Sequence, residues 1–386
     1  MDIDSWIGLN KQKIIDLRRW LHKNPEIGFN EFNTAKHLRG ILSKAGYDVV
    51  TNDKMKTGFY CDYNPGQKML ALRTDMDALE IQENNSHIDY QSLNSGIMHA
   101  CGHDVHMSIL TSVALYIKEN ASINGGIRFI FQPAEEQAPG GALAMIEGQA
   151  LNQVSDIVGC HVYPKINAGK IAVKSGPIAA TVELIDIELK GMGGHTSRPN
   201  ESVDLVWAQS QLVNSLEQTI NHGIDQQEPV VLAFGRVEGG MAHNVLPSKI
   251  TLSGTLRYLN PKIKNSLYKK IAESIEIVSK MTGAEINWNS TYACPGVIND
   301  KRLTDLILAS SREAIGNENV EILGVSSMGG EDFAYYLEKV PGAYFRIGSY
   351  DGIVDDIHTS DFNVDEECIF TGIKAFVSIA QNYFKS

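Results

Sequence analysis

The stretch from Ile127 to Glu136 reads IRFIFQPAEE and is the clearest indication of the fold class. Its first half is a nearly continuous apolar run, which predicts a buried β-strand, and the Gln-Pro-Ala segment predicts the turn that ends the strand. Two adjacent carboxylates, Glu135 and Glu136, follow this turn. Proteins with parallel sheets build their sites at the carboxyl ends of strands, so the stretch favours an α/β fold with chemistry at that edge.

Similar apolar runs alternate with helical patterns over residues 1–180 and helical patterns return over 291–386. The predicted elements are strands at 69–72, 127–131 and 156–159, and helices at 105–119, 141–147, 301–314, 331–339 and 365–384. Near-continuous apolar strands that alternate with helices indicate a mainly parallel sheet with both faces covered.

The pattern changes between residues 181 and 290, where apolar and polar positions alternate in the strands. The predicted order is strand, helix, strand, strand, helix, strand, at 181–190, 202–222, 229–237, 248–258, 262–281 and 284–290. This is the ferredoxin-like order, with one face of an antiparallel sheet in solvent. We therefore predict a discontinuous α/β catalytic domain, residues 1–180 and 291–386, with an inserted ferredoxin-like α+β domain at 181–290.

A second informative stretch, Met98 to His106, reads MHACGHDVH and places one thiol among three imidazoles. Together with the carboxylates of the first stretch, these groups are the ligand types that a zinc-like cation prefers. Cys101 and His103 lie just before a predicted helix, whose N-terminus is expected to lower the pKa of the thiol. A second, adjacent Glu supplies the general base that a metal hydrolase needs.

The candidate polar side chains follow three neighbouring predicted strands. Asp75 and Asp77 come after the strand at 69–72, Glu135 and Glu136 after the strand at 127–131, and His161 after the strand at 156–159. Carboxyl ends of parallel strands meet at one edge of the sheet, so we expect these groups to lie close together.

Each candidate also has a purely structural interpretation. A lone cysteine is more often a small buried hydrophobe than a ligand, and an isolated Glu-Glu pair is usually solvated. The Cys-x-His spacing and the position of both features at strand and helix ends favour the metal site instead. Several other residues, taken singly, are expected in turns or loops: His195, Asn244 and His358. Histidines without a supporting pattern are expected on the surface: His22, His37 and His87.

Composition excludes several classes of partner. The 386 residues carry a formal charge of −12 and a pI near 5.4, whereas nucleic acid and anionic membranes require a basic face. The N-terminal segment lacks the pattern of a signal peptide, and no apolar run is long enough for a membrane helix. The five cysteines are odd in number and widely spaced, so we expect no disulfide framework and a cytoplasmic location.

A set of ordered motifs gives the chain a family resemblance over nearly its whole length. The motifs are LHKNPE (21–26), LRTDMDAL (72–79), MHACGHD (98–104), QPAEE (132–136), GMGGH (191–195), HNVLP (243–247), GTLR (254–257), MGGEDF (328–333) and HTSDF (358–362). They resemble the di-metal metallopeptidase and amidohydrolase family of aminoacylases, hippurate hydrolases, carboxypeptidases and N-acetyl-diaminopimelate deacetylases. The branch that they resemble most contains bacterial amidohydrolases and plant auxin-conjugate hydrolases.

The resemblance implies a role for each matching residue. Five residues would hold two divalent cations, with the thiolate as the bridge: Cys101, His103, Glu136, His161 and His358. Glu135 would be the general base, and Asp77 would orient the site. In the inserted domain, Asn244 and Arg257 would hold the substrate carboxylate, because the planar fork of Arg binds carboxylates at two points. His195 would reach across a dimer to stabilise the developing oxyanion.

The resemblance thus implies a metal-dependent amidohydrolase that cleaves N-acyl, in particular N-acetyl, amino acids. The cations would be zinc or manganese, with cobalt as a further option, and the partner would be a small-molecule substrate. The inserted domain would act as a lid and join two subunits in a homodimer. A metal-dependent dipeptidase or carboxypeptidase is the alternative within the same chemistry. A non-catalytic metal-binding protein on the same fold is the alternative from a different class, but it would not need Glu135.

Overall fold

The residues that the structure describes form two large sheets, one of eight strands and one of four, and two short two-stranded sheets. The structure is a computed structural model and describes residues 1–66, 68–120, 123–353 and 356–385. Contacts divide the chain into two units. The first comprises Met1–Ile178, Val297–Val325 and Asp332–Ser386, and the second comprises Ala179–Gly296 and Ser326–Glu331.

The strands follow one another along the chain as β1 (Val49–Val50), β2 (Phe59–Tyr63), β3 (Met69–Asp75), β4 (Gly126–Gln132), β5 (Val154–Asn167), β6 (Ile171–Val173), β7 (Gly176–Ala179), β8 (Thr181–Lys190), β9 (Gly194–His195), β10 (Val230–Gly239), β11 (Val245–Leu246), β12 (Lys249–Tyr258), β13 (Glu285–Cys294), β14 (Val297–Asn299), β15 (Val320–Ile322) and β16 (Gly342–Tyr350). The helices are α1 (Ile3–Lys23), α2 (Phe32–Lys44), α3 (His103–Asn120), α4 (Gly141–Glu147), α5 (Leu205–Gly223), α6 (Lys264–Thr282), α7 (Lys301–Ile315), α8 (Ala334–Leu337) and α9 (Glu367–Tyr383).

The sheet of the first unit has the order β1-β2-β4-β3-β5-β16-β6-β15. Its centre, β4-β3-β5-β16, is parallel, and β1 and β2 add antiparallel strands at one edge. Asp75 at the end of β3 pairs with Gln132 at the end of β4, so the residues after both strands emerge at the same edge. The predicted α/β domain with a mainly parallel sheet is confirmed.

Buried helices cover this sheet because the strands are apolar on both faces. All seven residues of β3 and all seven of β4 are buried. Helix α3 is buried over most of its length and packs with α1 and α9 in one apolar core. The N-terminus of α3, which carries His103, is therefore held by packing along the whole helix.

The second unit has the predicted ferredoxin-like order β8-α5-β10-β12-α6-β13. Its sheet has the order β10-β12-β8-β13, and all neighbouring strands are antiparallel. Along β8 buried and exposed residues alternate, and the buried side chains share a core with the apolar faces of α5 and α6. The alternation of apolar and polar residues in the sequence thus indicates a sheet with helices on one face only.

Three details differ from the expectations. His161 lies inside β5 rather than after it, because β5 continues to pair with β16 beyond the end of β3. The predicted helix at 331–339 is shortened to α8, because the flanking turns close by bonds over three residues, from the N–H of Tyr335 to the carbonyl of Asp332 and from that of Lys339 to Tyr336. Residues 179–180, 291–296 and 326–331, assigned from the sequence to the catalytic domain, cluster with the second unit. In the described part of the chain, no helix is long and apolar enough to cross a membrane.

Candidate metal centre

The loop before α3 brings Cys101 to the carboxyl edge of the sheet. It turns at Gly102, whose φ of 82° lies in the left-handed region. A Cβ atom at this position would lie 2.5 Å from Cγ2 of Val162 on β5. Glycine is therefore required both by the backbone conformation and by the close approach of the loop to the strand. The result places the buried thiol of Cys101 beside the side chains of β5.

Asp77 holds three of the predicted site residues at once. Its Oδ1 accepts the backbone N–H of Glu135 at 3.0 Å, and its Oδ2 accepts that of Glu136 at 2.9 Å. The Nδ1 atom of His103 lies 2.9 Å from the backbone oxygen of Asp77 and 3.3 Å from Oδ1. These contacts leave Nε2 of His103 as the atom that faces the other candidate ligands.

A second buried carboxylate, Glu31, also anchors the turn that carries the two glutamates. Ala134 has a φ of 46°, which is uncommon for a residue other than glycine. Its backbone N–H donates to Oε1 of the buried Glu31 at 2.8 Å, while Oε2 of Glu31 accepts from the Thr57 hydroxyl. A side-chain acceptor far away in the sequence thus supports the strained turn just before Glu135.

Two more histidines complete the cluster around Cys101. Nε2 of His161 and Nε2 of His358 each lie 3.2 Å from Sγ of Cys101. His358 is also 3.1 Å from Oε1 of Glu136, and it has a φ of 61°. The backbone N–H of His358 donates to the carbonyl of Ala100 at 2.8 Å, which ties its loop to the loop of Cys101.

The five predicted ligands form overlapping groups in which the candidate ligand atoms lie within 4.8 Å of one another. These groups are Cys101-His103-His161, Cys101-Glu136-His358 and His103-Glu135-Glu136. One of these atoms, Nε2 of His103, is buried without a hydrogen-bond partner in the described structure. Buried polar atoms normally have partners, so an unpaired imidazole nitrogen among converging thiol, imidazole and carboxylate groups fits a bound cation.

The pKa values of Cys101 and His103 show that the neighbouring carboxylates favour bound protons in the cluster. Burial and the neighbouring Glu136 and Glu135 raise the pKa of the Cys101 thiol well above its usual range. Burial lowers the pKa of His103, but Asp75 and Asp77 raise it to about 10. The expected lowering of the thiol pKa by the N-terminus of α3 is therefore wrong for the metal-free chain. A cation would have to displace these protons as it binds, which makes affinity depend on pH.

The sequence expectation was also wrong for His22, which is fully buried rather than on the surface. Its Nδ1 lies 2.8 Å from Oδ2 of Asp104, and its Nε2 lies 3.1 Å from Oε1 of Glu83. Arg18 donates to the same Asp104 oxygen at 2.8 Å. This network anchors the start of α3 directly behind His103. Arg18 and His22 are four residues apart on α1, and that i,i+4 spacing of polar groups was the available signal.

The predicted substrate residues lie in the second unit. His195 on β9 pairs with Val245 on β11, and the carbonyl of Asn244 accepts the N–H of Thr196 at 3.2 Å, so these two predicted residues are brought together. Nδ1 of His195 accepts the backbone N–H of Ser197 at 3.1 Å. With Nδ1 as an acceptor, the ring hydrogen lies on Nε2, which is the donor.

Arg257 lies elsewhere in the same unit, on β12. Its Nη1 donates to the carbonyl of Met328 at 2.9 Å, and its Nε donates to the Thr255 hydroxyl at 3.3 Å. These bonds hold the half-buried guanidinium in one place.

A model of peptidase family M20/M25/M40 matches residues 71–382. The chain belongs to this family. The N-acetyl-L-cysteine deacetylase of Bacillus subtilis (strain 168) is 33% identical over 365 residues, which cover 93% of this chain and 85% of that protein. The N-acetyldiaminopimelate deacetylase of Bacillus velezensis is 32% identical over 384 residues, which cover 97% of this chain and 100% of that protein.

A solved structure of the family has the same fold. The crystal structure of the YXEP protein of Bacillus subtilis, described as a dinuclear metal binding peptidase, superposes with a TM-score of 0.85 at 30% identity. The match covers 97% of this chain and 98% of that chain. As a member of family M20/M25/M40, the chain is a metal-dependent hydrolase that acts on amide bonds.

Proposed function

We propose that this chain removes the acyl group, in particular acetyl, from N-acyl amino acids. The observation that carries the proposal is the convergence of Cys101, His103, Glu136, His161 and His358 beside a second carboxylate, Glu135. The two deacetylases that it resembles are each named for an N-acetylated amino acid. The similarity extends over nearly the whole chain, so it includes the residues proposed to bind the substrate.

We propose that the five converging residues hold two divalent cations, zinc or manganese, with cobalt as a further option. Mixed thiolate, imidazole and carboxylate ligands suit zinc, whereas carboxylates also suit manganese. When bound, the cations supply a Lewis acid for the amide carbonyl and lower the pKa of a nearby water. The unpaired Nε2 of His103 supports this assignment.

Glu135 is the proposed general base and then general acid. Its backbone is fixed by Asp77 on one side and, through Ala134, by Glu31 on the other. The Glu135 carboxylate, carried on this fixed backbone, can take the proton of the attacking water and return it to the nitrogen of the leaving amine. Glu136, whose backbone is held by the same Asp77, serves as a ligand instead.

The second unit supplies the groups proposed to bind the substrate. Arg257 and Asn244 would bind the α-carboxylate of the amino acid, and the Nε2–H of His195 would donate to the oxyanion. We propose that this unit acts as a lid and joins two subunits in a homodimer in the cytoplasm. His195 would then serve the active site of the partner subunit.

The substrate proposal is tested with metal-free enzyme reconstituted with zinc, manganese or cobalt. Hydrolysis is measured for N-acetyl amino acids, N-benzoyl amino acids and dipeptides. Higher kcat/KM for the N-acyl amino acids supports the proposal. Preference for dipeptides would favour the dipeptidase alternative, and the absence of hydrolysis with every metal would favour a binding protein.

The carboxylate-binding role of Arg257 is tested by comparing an N-acetyl amino acid with its amide. The wild-type enzyme should prefer the acid strongly, and Arg257→Ala should remove most of that preference. Arg236→Ala is the matched control, because Arg236 lies on the neighbouring strand β10 and pairs only with Glu238 among its described neighbours. Equal efficiency of the wild type on acid and amide would refute the role.

The role of His195 across a dimer is tested by mixing two inactive variants, His195→Ala and Glu135→Gln, under conditions that allow subunit exchange. Half of the random dimers are mixed, and one of their two sites has both residues intact. Recovery of up to about a quarter of wild-type activity is therefore expected for two-fold exchange. No recovery despite demonstrated exchange would show that His195 does not act in the partner.

A further inference from the structure

His106 lies three residues after His103 on α3, and each of its ring nitrogens contacts a different part of the first unit. Nδ1 lies 2.7 Å from Oδ1 of Asp75, at the end of β3. Nε2 lies 2.9 Å from the backbone nitrogen of Val162, on β5. The side chain is buried, so both contacts are shielded from water.

Asp75 determines which nitrogen of His106 carries the hydrogen. Its Oδ2 accepts a hydrogen bond from Nη1 of Arg73 at 2.7 Å, so the carboxylate is paired with a cation. An ionised carboxylate only accepts, and therefore Nδ1 of His106 donates. Nε2 is then left with a lone pair, which accepts the N–H of Val162.

The backbone of Val162 needs this acceptor. Strand β3 ends at Asp75, and its pairing with β5 stops at Gly159, so β3 provides no partner for Val162. This residue is 1% exposed, and a buried N–H group without a partner is costly. Nε2 of His106 thus supplies the hydrogen-bond acceptor that a neighbouring strand would otherwise give to the N–H of Val162.

The other side of Val162 holds the ring of His161. The carbonyl of Val162 accepts from Nδ1 of His161 at 2.7 Å. That bond fixes the hydrogen of His161 on Nδ1 and leaves a lone pair on Nε2, which lies 3.2 Å from Sγ of Cys101. One residue of backbone therefore connects His106 to a proposed metal ligand.

We propose that His106 is a positioning residue for His161. By holding the N–H of Val162, it fixes the backbone on which the His161 ring is anchored, so that Nε2 of His161 faces the cation. Groups of this kind, which orient a ligand without binding the metal, typically change metal affinity by about 10- to 100-fold. The inference rests on the metal site of the proposed function but not on its substrate.

Two substitutions separate the two bonds of His106. His106→Gln places an amide oxygen near the position of Nε2 and keeps an acceptor for Val162. His106→Asn places its amide near Nδ1, so it keeps a donor for Asp75 and loses the acceptor. His106→Leu removes both. Thr111→Val is the matched control, because Thr111 is also buried on α3 and its hydroxyl has no partner in the described structure.

The experiment titrates metal-free protein with cobalt(II) and follows the thiolate-to-cobalt absorption of Cys101. Of the two cations, we expect the one with the lower affinity to bind to the Asn and Leu variants about 10- to 100-fold less tightly, with an altered absorption spectrum. The Gln and Thr111→Val variants should stay within about threefold of the wild type. Unchanged binding in all variants, or equal losses for Gln and Leu, would overturn the proposal.

If the variants do not fold, a measurement on the wild-type protein tests whether Nε2 of His106 accepts the hydrogen bond from Val162. In metal-free protein labelled with ¹⁵N histidine, the spectrum should place the ring hydrogen of His106 on Nδ1, as the bonds to Asp75 and Val162 require. A hydrogen on Nε2 would break the bond to Val162 and overturn the proposal. Normal cobalt binding without hydrolysis of N-acyl amino acids would instead refute the proposed function and leave the role of His106 intact.

Discussion

Replacement of Asp77 by Asn is expected to lower kcat/KM while the fold is retained. The two carboxylate oxygens of Asp77 accept the backbone N–H groups of Glu135 and Glu136 at 3.0 and 2.9 Å. An amide side chain has one acceptor oxygen and one donor nitrogen. In the variant, one of these two backbone N–H groups therefore faces another donor.

The size of the effect follows from the lost hydrogen bond. A buried donor left without an acceptor costs about 1–3 kcal/mol. The turn can relieve this cost only by moving Glu135 or Glu136 out of place. Because each ~1.4 kcal/mol corresponds to a factor of ten in rate, kcat/KM should fall by about 10- to 100-fold.

The assay measures kcat/KM on an N-acetyl amino acid at saturating metal, together with the metal content of the variant. Asp62→Asn is the control, because Asp62 accepts two bonds from Arg128 on the same sheet, at 2.8 and 2.7 Å, away from the predicted ligands. Activity of Asp77→Asn within about threefold of the wild type would refute the positioning argument.

Two further predictions concern Cys101 and Glu31. Cys101→Ala should lower metal content as well as activity, and metal should protect the wild-type thiol from alkylation; equal alkylation rates with and without metal would contradict a ligand role. Burial raises the pKa of Glu31 in the folded chain to about 7. The contribution of Glu31 to the stability of the metal-free protein is therefore fully present below its unfolded pKa of about 4.3. This contribution is lost as the pH rises towards 7. Glu31→Gln should flatten the dependence of the unfolding free energy between about pH 5 and about pH 8, whereas parallel curves for variant and wild type would contradict this.

Much of the fold and of the candidate site can be predicted because local patterns carry them. Apolar runs followed by Asp75, Glu135 and Glu136 indicate parallel strands that end at one edge, and the structure has this edge. Alternation in β8 likewise indicates a sheet with one exposed face. These features depend on residues that are close in sequence, so one sequence is sufficient to find them.

The supporting contacts cannot be predicted in this way because they join distant segments. Glu31 meets Ala134 across 103 positions, and His22 meets Asp104 across 82. The i,i+4 spacing of Arg18 and His22 indicates that the two side chains share a face of α1, but it does not indicate that this face meets Asp104. The pKa of Cys101 was predicted in the wrong direction for the same reason, because burial and two glutamates from another loop outweigh the helix N-terminus.

In the proposed mechanism, Glu135 transfers the proton, while Glu136 and the other four residues hold the cations. The most direct measurement is the metal content of Glu135→Gln together with its turnover on an N-acetyl amino acid. We expect two cations per chain, as in the wild type, and a rate at least about 10²-fold lower. Glu136→Gln should instead lose metal. Near wild-type turnover of Glu135→Gln, or loss of its metal, would contradict the account.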